Sequence, residues 1–163
     1  DIAGTLLALG EATGNNETAA AVAQELDRGL ERLALGYEDM EPVSYFYQVD
    51  EHPLFTINGQ HLISRGLELC GGINIFSDEA GLAFQVAHEA VITANPDVIF
   101  AAALEEAPDP LLAWRGWPSM QAVMNDRLFL LPADKISRAT PRWLDSLELA
   151  CTLLHGSRQQ KSE

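Results

Sequence analysis

The sequence has 163 residues, of which 47% are apolar and 21% charged, a composition typical of one globular domain with a hydrophobic core. Its 24 acidic and 10 basic residues give a net charge of -14. This charge argues against binding to nucleic acid or to an anionic membrane surface, because phosphate groups would repel it. No apolar run approaches the roughly 20 residues of a membrane-spanning helix.

The chain opens on DIAGTLLALG, which has no basic segment of the kind that begins a signal peptide. This stretch already has helical character, so we expect the chain to begin inside a longer protein. A helix is predicted over residues 2–9, with breaks at Gly10 and Gly14. A second helix is predicted over residues 17–35 and is expected to end at Gly36. Its apolar stripe is Val22, Leu26, Leu30 and Leu33.

Strands and helices alternate through the rest of the chain. Strands are predicted at 43–49, 97–103 and 127–131, where β-branched, aromatic or continuous apolar residues occur. Helical segments are predicted at 62–70, 89–95, 111–117, 120–124 and 141–155. This alternation indicates an α/β fold with a largely parallel sheet flanked by helices. Residues 157–163 are expected to form a disordered tail.

The positions of the predicted strands indicate where a ligand would bind. Loops that follow the carboxyl ends of parallel strands are the usual ligand sites. Here these loops are residues 50–59, 104–110 and 132–140. The stretch 76–85 has no helical or strand period and follows the Gly71–Gly72 break, so we expect ligand contacts there as well.

Catalytic and metal-binding motifs are sparse. The sequence has no glycine-rich phosphate loop, no G-x-S-x-G elbow and no cysteines at metal-ligand spacing. His88 and Glu89 are adjacent, but neighbours on a helix point about 100° apart, so we expect no metal site. Asp97 is the strongest candidate for a catalytic carboxylate, although a turn residue is the favoured interpretation. Arg138 and Arg142 flank a loop that is suited either to an anion or to contact with the acidic surface.

The two cysteines, Cys70 and Cys151, leave two interpretations open. In a reducing compartment they would be buried free thiols. In an oxidising compartment a disulfide would be expected.

Five segments, in order, resemble one family. They are LALGEATGNNETAAAVAQELDRGLERL, VSYFYQVDEHPLFTINGQHL, LELCGGINIF, VAHEAVITANPDVIF and RATPRWLDSLELACTLLHG. The family is the class III periplasmic binding proteins. These are the cobalamin and ferric-siderophore receptors of ABC importers. In the same order, the segments resemble its interlobe helix end, its first C-terminal-lobe strand with the ligand loop, its Gly-Gly-x-Asn motif, its V-S-x-E…P-D-x-I segment and its last helix. The resemblance covers residues 1–156.

The resemblance implies one Rossmann-like lobe of a two-lobe receptor. Residues 1–36 would be the end of the interlobe helix region, and residues 37–156 the C-terminal ligand-binding lobe. Such a lobe is periplasmic and is not an enzyme, and it needs no cofactor and no metal. Its partners would be a small-molecule ligand and the transmembrane subunits of an ABC permease, with no nucleic acid and no direct membrane insertion.

The resemblance also assigns roles to residues. Ligand contacts are implied for His52, Pro53, Phe55, Leu82, Ala83, Phe84 and Lys135. Whether Phe84 stacks on the ligand or lies in the core stays open. Glu89 matches the glutamate that docks on arginines of the permease. Cys70 and Cys151 match a cysteine pair of the cobalamin receptor type, which implies a disulfide and favours cobalamin or a related corrinoid over a siderophore.

Three alternatives remain. The first is a ferric-siderophore or haem lobe of the same fold, which basic residues in the cleft would favour. The second is a small α/β enzyme that uses Asp97 or Glu89. The third is a domain that binds only protein, through Glu89 and the acidic pair Glu105–Glu106.

Overall fold

A computed structural model describes residues 2–104 and 106–159. The helices are α1 (Ile2–Thr13), α2 (Asn16–Tyr37), α3 (Leu62–Leu69), α4 (His88–Ala94), α5 (Gln121–Met124), α6 (Ala133–Ile136) and α7 (Trp143–Gln159), with a 3-10 helix at Leu112–Gly116. The strands are β1 (Val43–Gln48), β2 (Asp50–Glu51), β3 (Leu54–Ile57), β4 (Gly72–Asn74), β5 (Ala83–Gln85), β6 (Val98–Ala103) and β7 (Leu128–Pro132).

The main sheet has four strands in the order β4-β1-β6-β7. All three neighbouring pairs are parallel, with Tyr45 opposite Val98 and Ile99 opposite Leu128. The apolar runs in β1 and β6 fit this arrangement, because central parallel strands are covered on both faces. The predicted α/β class with a largely parallel sheet is confirmed. A second, antiparallel sheet of order β2-β3-β5 was not predicted.

Each face of the main sheet has its own hydrophobic core. Along β1, side chains alternate between the faces, so Tyr45 and Tyr47 join one core while Phe46 joins the other. The first core packs α2, α3 and α7 on the sheet, with Leu67 and Leu147 fully buried. The second core packs α4, the 3-10 helix and α5 on the opposite face. Its buried members are Phe46, Leu54, Val91, Ile99, Ala101, Leu111, Trp114, Met120 and Ala122.

Two predicted helix ends near the amino terminus are wrong. Gly10 does not break α1, which continues to Thr13, because Gly10 lies against Ala19 of α2 where a Cβ atom would overlap. Gly14, with φ of +71°, separates the two helices as predicted. Gly36 likewise lies within α2, which ends at Tyr37.

The carboxyl-terminal helix is also longer than predicted. It continues through Gly156 to Gln159, and Ser157 and Arg158 are buried. The Arg158 guanidinium donates hydrogen bonds to the carbonyl oxygens of Glu41 and Cys70 and lies 5.8 Å from the centre of the Tyr37 ring. The predicted tail is therefore helical over residues 157–159, while residues 160–163 lie outside the described part of the chain.

Cys70, which follows α3, and Cys151, within α7, form a disulfide, and both are fully buried. The bond therefore joins the end of α3 to α7 within the first core. It closes a loop of 81 residues.

Replacing both cysteines, as Cys70→Ser with Cys151→Ser, is expected to lower the free energy of unfolding by about 4 kcal/mol, since the unfolded chain regains the entropy of a long loop. Urea unfolding of the oxidised wild type and the double variant measures this difference. The wild type should show no free thiol when denatured without reductant. Equal unfolding midpoints would contradict a stabilising role for the bond.

Candidate functional site

The loops expected to bind a ligand meet at one edge of the main sheet. Because all four strands are parallel, their carboxyl ends lie at the same edge, which we call the ligand edge. The β2–β3 hairpin follows β1, residues 104–111 follow β6, and α6 follows β7. Neighbouring strands lie about 4.8 Å apart, so β1 and β7, which the hairpin and α6 follow, are separated by roughly 10 Å.

Two of the predicted ligand loops form a small sheet rather than irregular structure. Residues 50–59 contain β2 and β3, and the stretch 76–85 ends in β5, which pairs with β3. The turn of the hairpin holds His52 and Pro53, which are exposed and joined by a cis peptide bond. The hairpin and the stretch 76–85 therefore meet side by side.

The register of this small sheet decides which side chains face outward. Phe55 pairs with Gln85, and Thr56 pairs with Phe84, so Phe55 and Phe84 point to opposite faces. Phe84 packs edge-on against Phe76, with ring centres 6.1 Å apart, and Phe76 packs in the same way against Phe46 of the second core. Phe84 thus extends the core, and Phe55 is the half-buried ring on the other face.

The remaining predicted contacts are distributed unevenly. Leu82 and Ala83 are exposed beside the hairpin. Lys135 lies in α6, two strands away, with its ammonium nitrogen 3.4 Å from the Asp145 carboxylate of α7. Its charge is therefore partly engaged. Arg138 is exposed and forms no ion pair with any described residue.

A groove of about 800 Å³ lies beside the ends of β6 and β7, between two of the loops expected to hold a ligand, 104–110 and 132–140. Its apolar lining includes Leu104, Leu130, Leu131, Pro132 and Leu149. Its polar lining consists of three carboxylates, Glu106, Asp109 and Asp134. The sequence predicts that both loops lie at this edge of the sheet, but not that they enclose a groove lined by three carboxylates.

Sequence reasoning also missed Gln48, the buried last residue of β1. Its amide nitrogen donates to the Pro110 carbonyl at 2.7 Å, and its amide oxygen accepts from the Trp114 indole at 2.6 Å. The Trp114 ring in turn lies against the ring of His88, 5.2 Å between centres, at the start of α4. Gln48 therefore connects the loop after β6 to the helix that carries the exposed Glu89.

Asp97 lies at the other edge of the sheet. Its Oδ2 accepts hydrogen bonds from the Ser44 amide at 3.1 Å and from the Ser44 hydroxyl at 2.8 Å, which joins the starts of β1 and β6. This supports the turn interpretation of Asp97 rather than the catalytic one.

Within residues 2–104 and 106–159, no three His, Cys, Asp or Glu side chains are grouped to hold a metal ion. None of the helices in this described part of the chain is long and apolar enough to cross a membrane.

His61 precedes α3, whose first turn also lies at the ligand edge. Its Nδ1 accepts a hydrogen bond from the Ile63 amide at 3.3 Å and so caps the helix. Capping requires an unprotonated Nδ1. Partial burial of the ring lowers the pKa of His61 from its usual 6.5, which favours this neutral form.

Comparison with known proteins identifies a family model described as "Periplasmic binding protein", which matches residues 1–135. The chain is 37% identical over 161 residues to a protein named "Vitamin B12-binding protein" from Vibrio cholerae serotype O1. The match covers 98% of this chain and 58% of that protein. The chain thus spans little more than half the length of this relative.

The fold is similar to that of solved periplasmic proteins. The crystal structure of the periplasmic vitamin B12-binding protein of Vibrio cholerae matches with a TM-score of 0.84 at 36% identity, covering 96% of this chain and 61% of that one. A periplasmic heme-binding protein from Roseiflexus sp. RS-1 matches with a TM-score of 0.81 at 18% identity, covering 96% and 62%. At 18% identity the likeness concerns the fold alone.

The capping role of His61 predicts a pH dependence of stability. Because the folded-state pKa of His61 is lowered, its contribution is present above pH 6.5 and is lost as the pH falls, when the unfolded chain binds the proton first. His61→Asn keeps a capping acceptor that does not titrate. Between about pH 7.5 and about pH 5, the wild type should lose more unfolding free energy than His61→Asn. Parallel pH profiles of the two proteins would refute the assignment.

Proposed function

Because this chain belongs to the periplasmic binding protein family, we propose that it is the C-terminal ligand-binding lobe of an ABC importer's substrate-binding component that takes up cobalamin or a related corrinoid. Proteins of this family are periplasmic carriers that perform no catalysis, so the chain is periplasmic and is not an enzyme. The name and the 37% identity of the Vibrio cholerae relative support a corrinoid ligand.

The observation that carries the choice of ligand is the chemistry of the ligand edge. Phe55 offers an aromatic ring on one side, and the groove after β6 and β7 offers apolar walls with three carboxylates, Glu106, Asp109 and Asp134. A corrinoid is a large, largely apolar ring that carries many side-chain amides. Amide N–H groups donate hydrogen bonds to carboxylates, and the flat ring packs against aromatic and aliphatic surface.

A ferric siderophore is the second candidate ligand. Anionic iron chelates need cationic side chains, and the exposed Arg138 is the observation that favours one. The other nearby cation, Lys135, is paired with Asp145. Three carboxylates in the groove would also repel an anion. The balance of charge at the ligand edge therefore favours the amide-rich corrinoid.

The proposed mechanism is capture followed by delivery. The ligand would be held between the ligand edge of this lobe and a second lobe, with α1 and α2 as the end of a stiff interlobe region that limits changes in shape. The loaded protein would then dock on the permease through Glu89. This carboxylate is exposed in the first turn of α4, and opposite charge on the permease would steer the encounter.

The two phenylalanines of the small sheet give a matched test of ligand binding. In the full two-lobe protein, Phe55→Ala should weaken cobalamin binding about tenfold, since an aromatic contact contributes about 1.5 kcal/mol. Phe84→Ala should mainly lower the free energy of unfolding, because Phe84 packs on Phe76. Calorimetry with cobalamin and with ferric siderophores measures the affinities, and urea unfolding measures stability.

Absence of binding heat with every corrinoid would reject the proposed ligand, and heat with a ferric siderophore would establish the alternative. If Phe84→Ala weakened binding without loss of stability, Phe84 rather than Phe55 would contact the ligand.

Docking is tested separately. Glu89→Gln should leave corrinoid affinity unchanged but reduce transporter stimulation at least tenfold, because a buried interfacial carboxylate contributes more than 1.4 kcal/mol. Glu25→Gln is the control, because Glu25 is also an exposed acidic residue and lies in α2, on the opposite face of the lobe. Reduced ligand affinity in Glu89→Gln would place this residue in the ligand site instead.

A further inference from the structure

The segment 111–121 runs alongside α4 and contacts both of its ends. At the start of α4, the ring of Trp114 lies against that of His88, with centres 5.2 Å apart. At its end, the Gln121 amide donates to the Asn95 side chain at 2.8 Å. Along the chain, Trp117 lies between these two contacts, so it belongs to the segment that packs against α4.

Trp117 is 45% exposed, which is unusual for a tryptophan. Leu112, in the same segment, is 64% exposed. The exposed residues of α4 are Glu89, Ala90, Thr93 and Ala94. The helix thus presents one carboxylate among three small side chains, and the segment packed against it carries an exposed indole. Tryptophan is one of the residues enriched among those that contribute most to the affinity of protein interfaces.

Trp114 fixes the geometry of this surface. Trp114 is buried and donates its indole hydrogen to Gln48. It lies within the 3-10 helix that precedes Trp117, and its ring contacts that of His88. The Trp117 amide also donates to the Trp114 carbonyl at 3.0 Å. Because one anchored residue contacts both segments, α4 and the segment that carries Trp117 are held together before any partner arrives. Preorganisation of this kind lowers the entropic cost of association.

The charges on this surface indicate the chemistry of the partner. The charged residues of segments 88–94 and 111–126 are Glu89, Arg115 and Asp126. Arg115 and Asp126 pair with each other at 3.6 Å. Of these charged residues, Glu89 is therefore the one whose carboxylate can pair with a cationic side chain of a partner protein. A complementary partner presents a basic group beside an apolar patch.

We propose that Trp117, with Leu112 at its margin, is the apolar half of the permease-docking surface and that Glu89 is its charged half. The occupant is a periplasmic loop of the permease that carries an arginine or lysine next to apolar side chains. This inference rests on the proposed docking role of Glu89. It adds a hydrophobic anchor that accounts for binding strength, whereas the charge accounts for steering.

The test measures the affinity of the loaded two-lobe protein for its reconstituted permease, by surface plasmon resonance at two salt concentrations. Trp117→Ala should weaken the complex at least tenfold and to a similar extent at low and high salt, because the lost contact is apolar. Trp117→Phe should restore part of the affinity. Glu89→Gln should weaken the complex mainly at low salt. Leu35→Ala is the control, since Leu35 is 73% exposed on α2 at the opposite face of the lobe.

Each outcome separates this inference from the function on which it rests. Full permease affinity in Trp117→Ala, with reduced affinity in Glu89→Gln, would overturn the role of Trp117 and leave docking through Glu89 intact. Full affinity in both variants would place the docking surface elsewhere. Corrinoid affinity should be unchanged in Trp117→Ala, and a loss there would show that the tryptophan acts on the ligand site. Thermal unfolding at the wild-type midpoint would establish that the variant is folded.

Discussion

The Gln48 side chain joins parts of the lobe that the chain separates widely. A buried amide whose donors and acceptors are left without partners is costly, and here both ends of the amide are bonded, to Pro110 and to Trp114. The loop after β6, the 3-10 helix and the start of α4 are therefore held in one arrangement relative to β1. The ligand edge and the proposed docking surface both depend on this arrangement. The proposed ligand site and the proposed docking surface thus share one structural support.

The two cores serve different purposes. In the first core, the Cys70–Cys151 disulfide and the hydrogen bonds of Arg158 join α3, α7 and the entry to β1. These links constrain the chain at the amino ends of the strands. In the second core, a series of ring contacts from Phe84 through Phe76 and Phe46 to Trp114 supports the small sheet and α4. The first core thus contains the disulfide and the Arg158 hydrogen bonds, and the second supports the small sheet and α4.

Much of the fold was predictable because parallel strands buried on both faces leave continuous apolar runs, as in β1 and β6. The errors have physical causes. The sequence predicts helix ends at Gly10 and at residue 155, but packing of Gly10 against Ala19 and burial of Arg158 override the weak helix propensity of glycine. The β2-β3-β5 sheet consists of strands too short to show a period. The opposite orientations of Phe55 and Phe84 follow from pairing register, which no local pattern records.

The position of the disulfide has a consequence for how this lobe can diverge. The Arg158 contacts and Cys70 lie near the starts of β1 and β4, whereas the ligand loops follow the strand ends. A six-residue strand such as β1 separates these two edges by roughly 20 Å. Substitutions more than about 10 Å apart are nearly additive in their effects on stability. The loops at the ligand edge can therefore change in sequence to suit different ligands while the disulfide-linked edge keeps the lobe folded. Stability and ligand specificity can in this way change independently of each other.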